Sequence, residues 1–299
     1  MKKYDLIIIG AGPAGMTAGL YAVRSGLKTA IISKDIGGTT NSILELENWP
    51  GFKGSGTKLM KEFYTQLKNY EIDFIMKNVE NIIRKEDEFI IKLNDTELIG
   101  NSIILATGTE RKRLNIPGEE RLKGKGVSYC VTCDAFFFKE KIVGVIGGSD
   151  CAATSALALS ELVKKVYLIY RGERLRCEEI NLKKLEKKEN VEIIYEAIPK
   201  EIEGEEKVES LILEKNNKEE KIKLDGLFIE IGSTPLLELI KNLEINLDEK
   251  YIIVDEEMRT SVPGIFAAGD VTHHKLKQVI VASGQGAIAA KSAYEYLKK

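Results

Sequence analysis

Short apolar runs that end in glycine mark out repeating units of strand, turn and helix in this chain. The run "DLIIIG" (5–10) precedes the turn "AGPAG", a helix-like stretch "MTAGLYAVRSG" and a second apolar run, "KTAIIS" (28–33). This order predicts a β-α-β unit that begins at the first residues. A later run, "NSIILATGT" (101–109), is predicted to be a buried strand that ends in a glycine turn.

The same pattern restarts in the middle of the chain. The stretch "KIVGVIGGSDCAATSALALSELVKKVYLIYR" (141–171) again runs strand, glycine turn, helix and strand. The run "DGLFIEIGSTP" (225–235) is similar in position and character to the earlier buried strand. Between them, residues 204–224 predict a β-hairpin with a polar turn at Asn216 and Asn217.

The closing segment belongs with the first unit. The apolar run "SVPGIFAAGD" (261–270) has no nucleotide-type turn of its own, and a final helix follows whose small residues are predicted to pack on the first turn. The sequence therefore predicts an α/β fold of two Rossmann-like nucleotide-binding domains, the second inserted into the first. We place the discontinuous first domain at 1–113 and 245–299 and the inserted domain at 114–244.

Composition narrows the class of protein. The chain is 43% hydrophobic and 30% charged, which is typical of globular proteins. Its length of 299 residues predicts two domains. Its net charge of −2, with lysine and arginine spread along the sequence, gives no indication of a nucleic-acid partner. We identify no targeting or membrane-spanning segment, and four cysteines are too few for a disulfide framework, so a cytoplasmic protein without a membrane partner is predicted.

The first glycine turn has the Gly-x-Gly-x-x-Gly spacing of a dinucleotide site. Gly10, Gly12 and Gly15 lie between a predicted strand and a predicted helix. Such glycines permit a tight turn, a close approach of the backbone to a pyrophosphate and close helix–strand packing, and the helix N-terminus faces the phosphates. Asp35 stands at about the distance expected for a ribose ligand, although its surroundings, "SKDIGG", also fit a simple turn.

The second glycine turn departs from this spacing. Ser149 follows Gly147 and Gly148, at the position where the backbone of a dinucleotide site approaches the pyrophosphate, and Asp150 comes next. The strand after the helix ends in Tyr170–Arg171, and a cation there suits the 2′-phosphate of NADPH better than the 2′-hydroxyl of NADH. We predict nucleotide binding here, with NADPH slightly favoured. The alternative is a nucleotide fold that has lost its ligand.

Cys130 and Cys133, in "YCVTCDAFFF", form a Cys-x-x-Cys pair. A structural zinc site needs about four ligands, and the other cysteines and both histidines are isolated, so we predict no metal. A redox dithiol needs one exposed thiol and a second sulfur close enough to bridge, and a helix start supplies both while lowering the thiolate pKa. Asp134 is a candidate cap for that helix or a proton donor to a departing thiolate.

The remaining reactive side chains have simpler interpretations. We expect Cys151 and Cys177 to be buried or incidental, and residues 273–274, both histidines, to lie in a loop. Trp49 is expected to pack, while its neighbour Asn48 can reach a cofactor.

The motifs "GAGPAG", "ELENWPG", "ILATGT", "GVSYCVTCDAFFF", "VIGGSD" and "PGIFAAGD", in this order, resemble those of low-molecular-weight thioredoxin reductases over essentially the whole chain. The resemblance implies a homodimeric FAD enzyme that passes electrons from a reduced donor through the dithiol to thioredoxin. The candidate cofactor-binding residues are Gly10, Gly12, Pro13, Ala14, Gly15, Gly37, Gly38, Asn48, Val79, Ala106, Thr107, Gly108, Gly269, Asp270, Lys277, Gln278 and Val279 for FAD, and Gly147, Gly148, Ser149, Asp150, Arg171 and Arg176 for the nicotinamide nucleotide.

The resemblance also implies roles within this set. Asp270 is expected at the ribityl chain of FAD and residues 277–279 near its ring system. Cys133 is expected to meet the flavin, Cys130 to attack the disulfide of thioredoxin, and Asp134 to act as the acid. The inserted domain is expected to rotate, so that the dithiol meets first the flavin and then thioredoxin, about hinges near 114–118 and 241–246.

The electron donor and the acceptor stay open. The family pattern has three glycines and His-Arg-Arg where this chain has Gly147-Gly148-Ser149 and Tyr170-Arg171-Gly172. NADPH, NADH, reduced ferredoxin or a deazaflavin therefore remain as donors, and another small redox protein remains as the acceptor. The cysteine pair and the glycine turns also leave room for a non-catalytic zinc- or nucleotide-binding module, and for an electron-transfer flavoprotein with a vestigial dithiol.

Overall fold

The structure, a computed structural model, describes residues 1–43, 46–235 and 237–298. Glu45, the first residue of the motif "ELENWPG", lies outside the described residues. The chain divides into two units, of which the first comprises Met1–Glu110 with Thr234–Lys299 and the second comprises Arg111–Ser233. The second unit is thus inserted into the first, as the sequence predicts.

The described residues contain both strands and helices, as expected for an α/β fold. Up to the first crossover they are β1 (Lys2–Ile9), α1 (Pro13–Arg24), β2 (Thr29–Ser33), β3 (Leu46–Trp49), β4 (Phe52–Gly54), α2 (Gly56–Leu67), β5 (Asp73–Met76), β6 (Val79–Lys85), β7 (Glu88–Leu93), β8 (Glu97–Leu105) and β9 (Thr109–Arg111). They continue as β10 (Val127–Ser128), α3 (Val131–Asp134), β11 (Ile142–Ile146), α4 (Asp150–Ser160), β12 (Lys165–Ile169), α5 (Glu179–Leu185), β13 (Val191–Ile194), β14 (Ala197–Glu203), β15 (Ser210–Lys215), β16 (Lys218–Lys223), β17 (Gly226–Ile229), β18 (Ser233–Pro235), β19 (Leu247–Asp248), β20 (Tyr251–Ile252), β21 (Ile265–Ala267) and α6 (Val279–Leu297).

A largely parallel sheet forms the centre of the first unit. Its strand order is β5-β2-β1-β8-β7-β6, with β21 paired to β8. In β1, residues Leu6–Ile9 pair in parallel with Thr29–Ile32 on one side and with Ser102–Leu105 on the other. These β1 residues are almost fully buried, which explains why the strand reads as a continuous apolar run rather than an alternating one.

Two helices pack closely on the first turn because glycines let their backbones approach it. An ideal Cβ on Gly15 of α1 would lie 1.9 Å from the carbonyl oxygen of Gly10. One on Gly286 of α6 would lie 2.1 Å from the carbonyl oxygen of Ala14. No larger residue fits at either position without a backbone shift. The small residues of the final helix therefore pack on the first turn, as predicted.

The second unit has a parallel sheet of its own, in the order β10-β17-β11-β12-β13, and a three-stranded antiparallel sheet, β14-β15-β16. β15 and β16 form the predicted hairpin. Its turn residues Asn216 and Asn217 have φ of 51° and 58°, the left-handed conformation that a two-residue hairpin turn requires and that asparagine tolerates.

Both crossovers of the chain run through one two-stranded ribbon. β9 pairs with β18, and the backbone N–H of Lys112 donates to the carbonyl oxygen of Gly232 at 2.9 Å. The boundaries between the units lie at 110/111 and 233/234, whereas the sequence placed them at 113/114 and 244/245. The second boundary differs because Ile240 and Leu243 are buried in the core of the first unit, which an apolar pattern alone does not reveal.

The expected hinge at 114–118 is a folded part of the second unit. The backbone N–H groups of Leu114 and Asn115 donate to the carboxylate of Glu119 at 2.9 and 2.6 Å. Gly118 is equally constrained, since an ideal Cβ there would lie 1.9 Å from the carbonyl oxygen of Ile202. The β9–β18 ribbon, rather than this segment, is where the chain passes from one unit to the other.

We expect Gly286→Ala to destabilise the first unit by about 2 kcal/mol, because overpacking a close contact costs about 1–3 kcal/mol. Urea unfolding, followed by circular dichroism, measures this change. The matched control is Gly284→Ala in the same helix, where an added Cβ meets nothing within 4 Å. That variant should gain about 0.5–1 kcal/mol, because alanine favours a helix more than glycine does. Equal effects of the two substitutions would contradict the proposed contact.

Candidate active site

The cysteine pair lies at the start of a four-residue helix in the second unit. Cys130 is the N-cap of α3, and its Sγ accepts a hydrogen bond from the backbone N–H of Cys133 at 3.2 Å. A disulfide joins the two sulfurs, with the Cα atoms 5.3 Å apart. Cys133 is exposed and Cys130 is half-buried. Because a hydrogen bond to the charged form of a group stabilises it, the N–H of Cys133 favours Cys130 as the thiolate after reduction.

Asp134 belongs to the same small network, although not as the helix cap. Cys130 holds the N-cap position and Asp134 is the last residue of α3, so the capping role suggested by the sequence is wrong. One carboxylate oxygen of Asp134, Oδ2, accepts a hydrogen bond from the hydroxyl of Ser128 at 2.6 Å. The hydroxyl oxygen of Ser128 in turn accepts the backbone N–H of Cys130 at 3.0 Å.

A buried carboxylate holds the residue that precedes the dithiol. Glu119 is 3% exposed and accepts a hydrogen bond from the hydroxyl of Tyr129 at 2.5 Å. Burial raises the pKa of Tyr129, and the hydrogen bond to the Glu119 carboxylate raises it further. The phenol therefore stays protonated and donates at neutral pH, which ties the dithiol segment to the folded part of the unit.

Two aromatic rings next to the dithiol are exposed, which sequence analysis missed. Phe136 and Phe137 are 75% and 71% exposed, whereas Phe138 is buried against Phe228 with ring centroids 5.3 Å apart. Three consecutive phenylalanines carry no periodic signal, so the sequence does not show which of them faces solvent. Two adjacent exposed rings form an apolar patch beside the sulfurs.

The first glycine turn leaves open space at its second glycine. Gly10 has φ of 111°, and a Cβ there would lie 2.1 Å from the carbonyl oxygen of Ala106, so the chain itself requires glycine. At Gly12 a Cβ would meet only the carbonyl oxygen of Gly37, 4.0 Å away. The packing of the protein therefore does not require glycine at position 12. A glycine there suits a ligand that approaches the backbone closely.

The second turn has the same backbone conformation as the first, but it carries a serine, Ser149, at the position of Gly12. Ser149 has φ of −96° and ψ of −179°, close to the −79° and −171° of Gly12, so serine is not strained. Its side chain makes no capping hydrogen bond to α4. Gly147 is again required, because a Cβ there would lie 2.3 Å from the carbonyl oxygen of Glu230.

The residues predicted around the second turn divide into structural and accessible ones. Asp150 Oδ1 accepts hydrogen bonds from the backbone N–H of Glu178 at 2.7 Å and the side chain of Asn181 at 2.9 Å, so it stabilises the turn. The backbone N–H of Arg176 donates to the carbonyl oxygen of Gly148 at 2.6 Å, and its guanidinium lies 5.9 Å from the ring centre of Tyr170. Arg176 thus lies at this turn.

Comparison with known proteins decides the family. A family model described as pyridine nucleotide-disulphide oxidoreductase matches residues 4–286. The chain belongs to this family. A thioredoxin reductase of Listeria monocytogenes is 37% identical over all of this chain and 95% of its own length. Among solved structures, Lactococcus lactis thioredoxin reductase is 38% identical with a TM-score of 0.96 and 99% of both chains covered. A ferredoxin-flavin thioredoxin reductase of Clostridium acetobutylicum is 32% identical with a TM-score of 0.56, covering 100% of this chain and 98% of its own.

These oxidoreductases are flavin-dependent enzymes with a fold of two dinucleotide-binding domains, and the thioredoxin reductases among them use FAD and NADPH. The predicted fold class, enzyme class and family cofactors are confirmed at this level. The bridged Cys130 and Cys133 fit the redox-active dithiol of the family. The individual site residues stay predictions.

The first unit offers polar groups that fit FAD. Three buried side-chain atoms among the described residues have no hydrogen-bond partner: Thr107 Oγ1, Ser283 Oγ and Gln285 Nε2. Gln285 Oε1 accepts the backbone N–H of Gly269 at 2.8 Å, which places it beside the Gly-Asp turn. Because buried polar atoms are normally satisfied, these three fit a bound cofactor. Sequence analysis missed Ser283 and Gln285, which stand out only as polar residues within "VASGQGAIAA".

Four of the predicted FAD residues form two contacting pairs. Asp270 and Lys277 meet through a hydrogen bond from Lys277 Nζ to the Asp270 carbonyl oxygen at 3.1 Å. Burial raises the pKa of the Asp270 carboxyl and lowers the pKa of Lys277, so desolvation disfavours both charges. The side-chain amide of Asn48 donates to Gln278 Oε1 at 2.9 Å. The structure therefore brings together residues that are distant in the sequence.

Four further expectations have simple outcomes in the first unit. Asp35 is an exposed turn residue whose Oδ1 accepts the backbone N–H of Gly38 at 3.0 Å. Trp49 packs edge-on against Phe63 with ring centroids 5.6 Å apart, as predicted. Val79 begins β6 and packs against the core. Residues 273–274 lie exposed after the Gly-Asp turn, as expected for a loop.

An ion pair in the second unit was also missed. Glu230, 3% exposed, pairs with Arg111 and accepts a hydrogen bond from the hydroxyl of Ser155 at 3.2 Å. Burial, the largest cause, raises the pKa of Glu230. Cys151 and Cys177 were expected to be buried or incidental, and of these alternatives burial is wrong, because Cys151 is exposed and Cys177 is partly exposed. Desolvation still raises the pKa of each thiol, so neither is activated as a nucleophile.

The described helices are also informative about membranes. None of them has the length and apolarity that a bilayer crossing requires.

We expect Asp270→Asn to weaken FAD binding and to stabilise the apoprotein. Because burial raises the folded-state pKa above the ordinary 3.8, the carboxyl group's contribution is full below pH 3.8 and is lost as pH rises through the folded pKa. The stability gap between variant and parent should therefore be small at pH 3.8 and should widen above it. Thermal unfolding of both apoproteins across this range, with a fluorescence titration of FAD, measures the two effects. An apoprotein variant less stable than the parent at pH 7 would contradict the burial penalty.

Proposed function

We propose that this chain is a thioredoxin-disulfide reductase that passes electrons from NADPH through FAD and the Cys130–Cys133 dithiol to thioredoxin. The supporting observation is the disulfide itself. It lies at an accessible helix start in an oxidoreductase chain that is similar to thioredoxin reductases over its whole length. Among the described residues, no group of histidine, cysteine, aspartate and glutamate side chains is placed to hold a metal ion.

FAD fits the first unit of this chain. When bound, it supplies a two-electron carrier between the nicotinamide and the dithiol. Gly12 gives the pyrophosphate room at the backbone, and the N–H groups at the start of α1 face it. Gln285 would donate to the cofactor from its unpartnered Nε2. The carboxylate of Asp270 would accept hydrogen bonds from the ribityl hydroxyls, which would offset its burial. Residues 277–279 would help to hold the ring system.

The chain's own residues decide which sulfur leaves when the disulfide is reduced. Cys133 is the exposed and therefore accessible sulfur, while the N–H of Cys133 stabilises the thiolate of Cys130. Because a stabilised thiolate leaves faster, electrons enter at Cys133 and Cys130 departs. Asp134 gives it a proton. Asp134 takes this proton back before the next step, so that Cys130 attacks the disulfide of thioredoxin as a thiolate, and Cys133 resolves the mixed disulfide.

The exposed rings beside the dithiol provide a docking surface for the acceptor. Phe136 and Phe137 keep about three quarters of their surface in water, which is costly unless a partner covers them. A small redox protein with an apolar rim around its own disulfide covers such a patch as it brings its sulfur to Cys130. This favours a protein acceptor over a small thiol compound.

A second candidate keeps this chemistry but takes electrons from reduced ferredoxin. Ser149 fills the space that the first turn leaves open, and Gly172 stands in place of an arginine of the family pattern. A ferredoxin-flavin enzyme is among the similar structures. Against this candidate, Arg171 is exposed and Arg176 lies at the turn, ready for a 2′-phosphate. We therefore place NADPH first, with ferredoxin second and NADH or a deazaflavin after them.

The reaction also requires motion and assembly. The dithiol has to meet the flavin and thioredoxin in turn, and the β9–β18 ribbon, through which both crossovers pass, is the proposed pivot in place of 114–118 and 241–246. The resemblance supports a cytoplasmic homodimer that joins through the FAD domain.

Anaerobic titration with NADPH, NADH and reduced ferredoxin in turn tests the donor. We expect NADPH to bleach the flavin absorbance fastest. Arg171→Ala should weaken NADPH binding about tenfold and leave NADH binding almost unchanged, because a charge-assisted hydrogen bond contributes about 1.5–3 kcal/mol. Ser149→Gly should strengthen binding of both nucleotides by reopening the turn. If reduced ferredoxin alone bleached the flavin fast, ferredoxin rather than NADPH would be the donor. A purified chain that binds no flavin would overturn the proposed function.

A second experiment tests the acceptor surface. Phe137→Ala should raise the KM for thioredoxin about tenfold and leave turnover of a small aromatic disulfide, dithiobis(nitrobenzoate), unchanged, because burial of a phenylalanine ring contributes about 1.5–3 kcal/mol. Ile180→Ala is the matched control, since Ile180 is 57% exposed in α5 of the same unit. A KM unaffected by Phe137→Ala, or changed equally by the control, would contradict docking at this patch.

A further inference from the structure

We propose that Ser128 is a positioning residue for the dithiol, which holds the carboxyl group of Asp134 where it can pass a proton to Cys130. The inference rests on the proposed function. Ser128 is 5% exposed and ends β10, where its backbone pairs in parallel with Phe228 of β17. A residue fixed in the central sheet of the unit therefore reaches the short helix that carries the sulfurs.

The hydroxyl group of Ser128 both donates and accepts a hydrogen bond. It has one proton and two acceptors in reach, Asp134 Oδ2 at 2.6 Å and the carbonyl oxygen of Cys130 at 3.3 Å. The proton goes to Asp134 Oδ2, because this oxygen is the nearer of the two acceptors. A lone pair of the same oxygen accepts the backbone N–H of Cys130 at 3.0 Å. One side chain thus links the acid to the residue that leaves.

The short helix does not by itself hold the acid in place. Asp134 is the last residue of a helix of only four residues, so the helix does not fix its side chain. Among the described residues, Ser128 makes the one hydrogen bond to this carboxylate that the structure shows. Without it, the side chain is free to exchange among its staggered rotamers. With it, Oδ2 is held and Oδ1 is left to carry the proton.

The network assists the reductive step. Two electrons from the reduced donor enter at Cys133 and the S–S bond breaks. Sγ of Cys130 leaves with an electron pair, the proton of Asp134 moves to that sulfur, and Asp134 becomes a carboxylate. The hydrogen bond from Ser128 strengthens as this charge appears, because an ionised acceptor binds a hydroxyl more tightly than a neutral one. Ser128 therefore favours the direction in which the proton is given up.

Ser128 has a second contact, to the N–H of Cys130, and a double-mutant cycle separates the two. Ser128→Ala should lower kcat for thioredoxin about tenfold without changing the KM, since a misplaced acid forfeits part of the roughly 10²–10⁴-fold contribution of general acid catalysis. In an Asp134→Asn background, Ser128→Ala should cause no further loss, because its effect runs through Asp134. The assay uses the flavin-loaded enzyme and whichever donor bleaches it fastest.

A near-isosteric pair keeps the test valid if alanine disturbs the fold. Ser128→Thr retains the hydroxyl and should recover most of the rate, whereas Ser128→Val has the same shape without it and should behave as alanine does. Equal rates for Ser128→Thr and Ser128→Val would overturn the inference. So would a loss from Ser128→Ala that is equally large in the Asp134→Asn background, because the effect would then run through the N–H of Cys130.

The acid role of Asp134 and the positioning role of Ser128 can fail separately. If Asp134→Asn slows turnover and Ser128→Ala does not, the acid assignment of the proposed function stands and the role of Ser128 is wrong. If Asp134→Asn is as fast as the parent, the acid assignment is wrong and the role of Ser128 falls with it.

Discussion

Close approach of backbone to backbone at the first glycine turn is the constraint on which the first unit depends. Gly15 lets α1 rest on the carbonyl group of Gly10, and Gly286 lets α6 rest on that of Ala14. Three layers therefore meet at the ends of the central strands, with space only for hydrogen at the contacts. The same unit buries polar atoms without partners, such as Gln285 Nε2, and the first turn leaves an open position at Gly12. The close packing of the first unit thus leaves an open position and unpartnered polar atoms, both of which fit a bound cofactor.

The second turn shows what happens when that constraint is relaxed. Ala152 stands where the first turn has Gly15, and a Cβ added at Gly147 would lie 2.8 Å from that of Ala152. The helix is thus separated from the strand by a methyl group, and Ser149 fills the ligand position without backbone strain. Tighter binding at the first turn than at the second is the expected consequence. Such a difference suits a cofactor that stays bound at the first turn and an electron donor that binds and dissociates at the second.

Local features could be predicted from the sequence, whereas pairings between distant segments could not. Glycine turns between strand and helix, and the hairpin at 216–217, depend on neighbouring residues and were predicted correctly. The ion pair between Arg111 and Glu230 joins residues 119 positions apart, and no sequence pattern predicts it. The second boundary failed for a related reason, because the apolar residues near Ile240 do not reveal which of two cores they enter. Asp134 was found as the acid candidate, but its partner Ser128 depends on how the strand meets the helix.

The sheet, rather than its own helix, anchors the dithiol. A helix of four residues is too short to be stable alone. Its position is set instead by Ser128 at the end of β10, by Tyr129 on Glu119, and by Phe138 against the central strand β17. Because these anchors belong to the second unit itself, the motion proposed above would leave the sulfurs and Asp134 in one geometry. In the proposed cycle, exchange of the flavin for thioredoxin therefore changes which partner faces the two sulfurs, while Asp134 keeps its place beside Cys130.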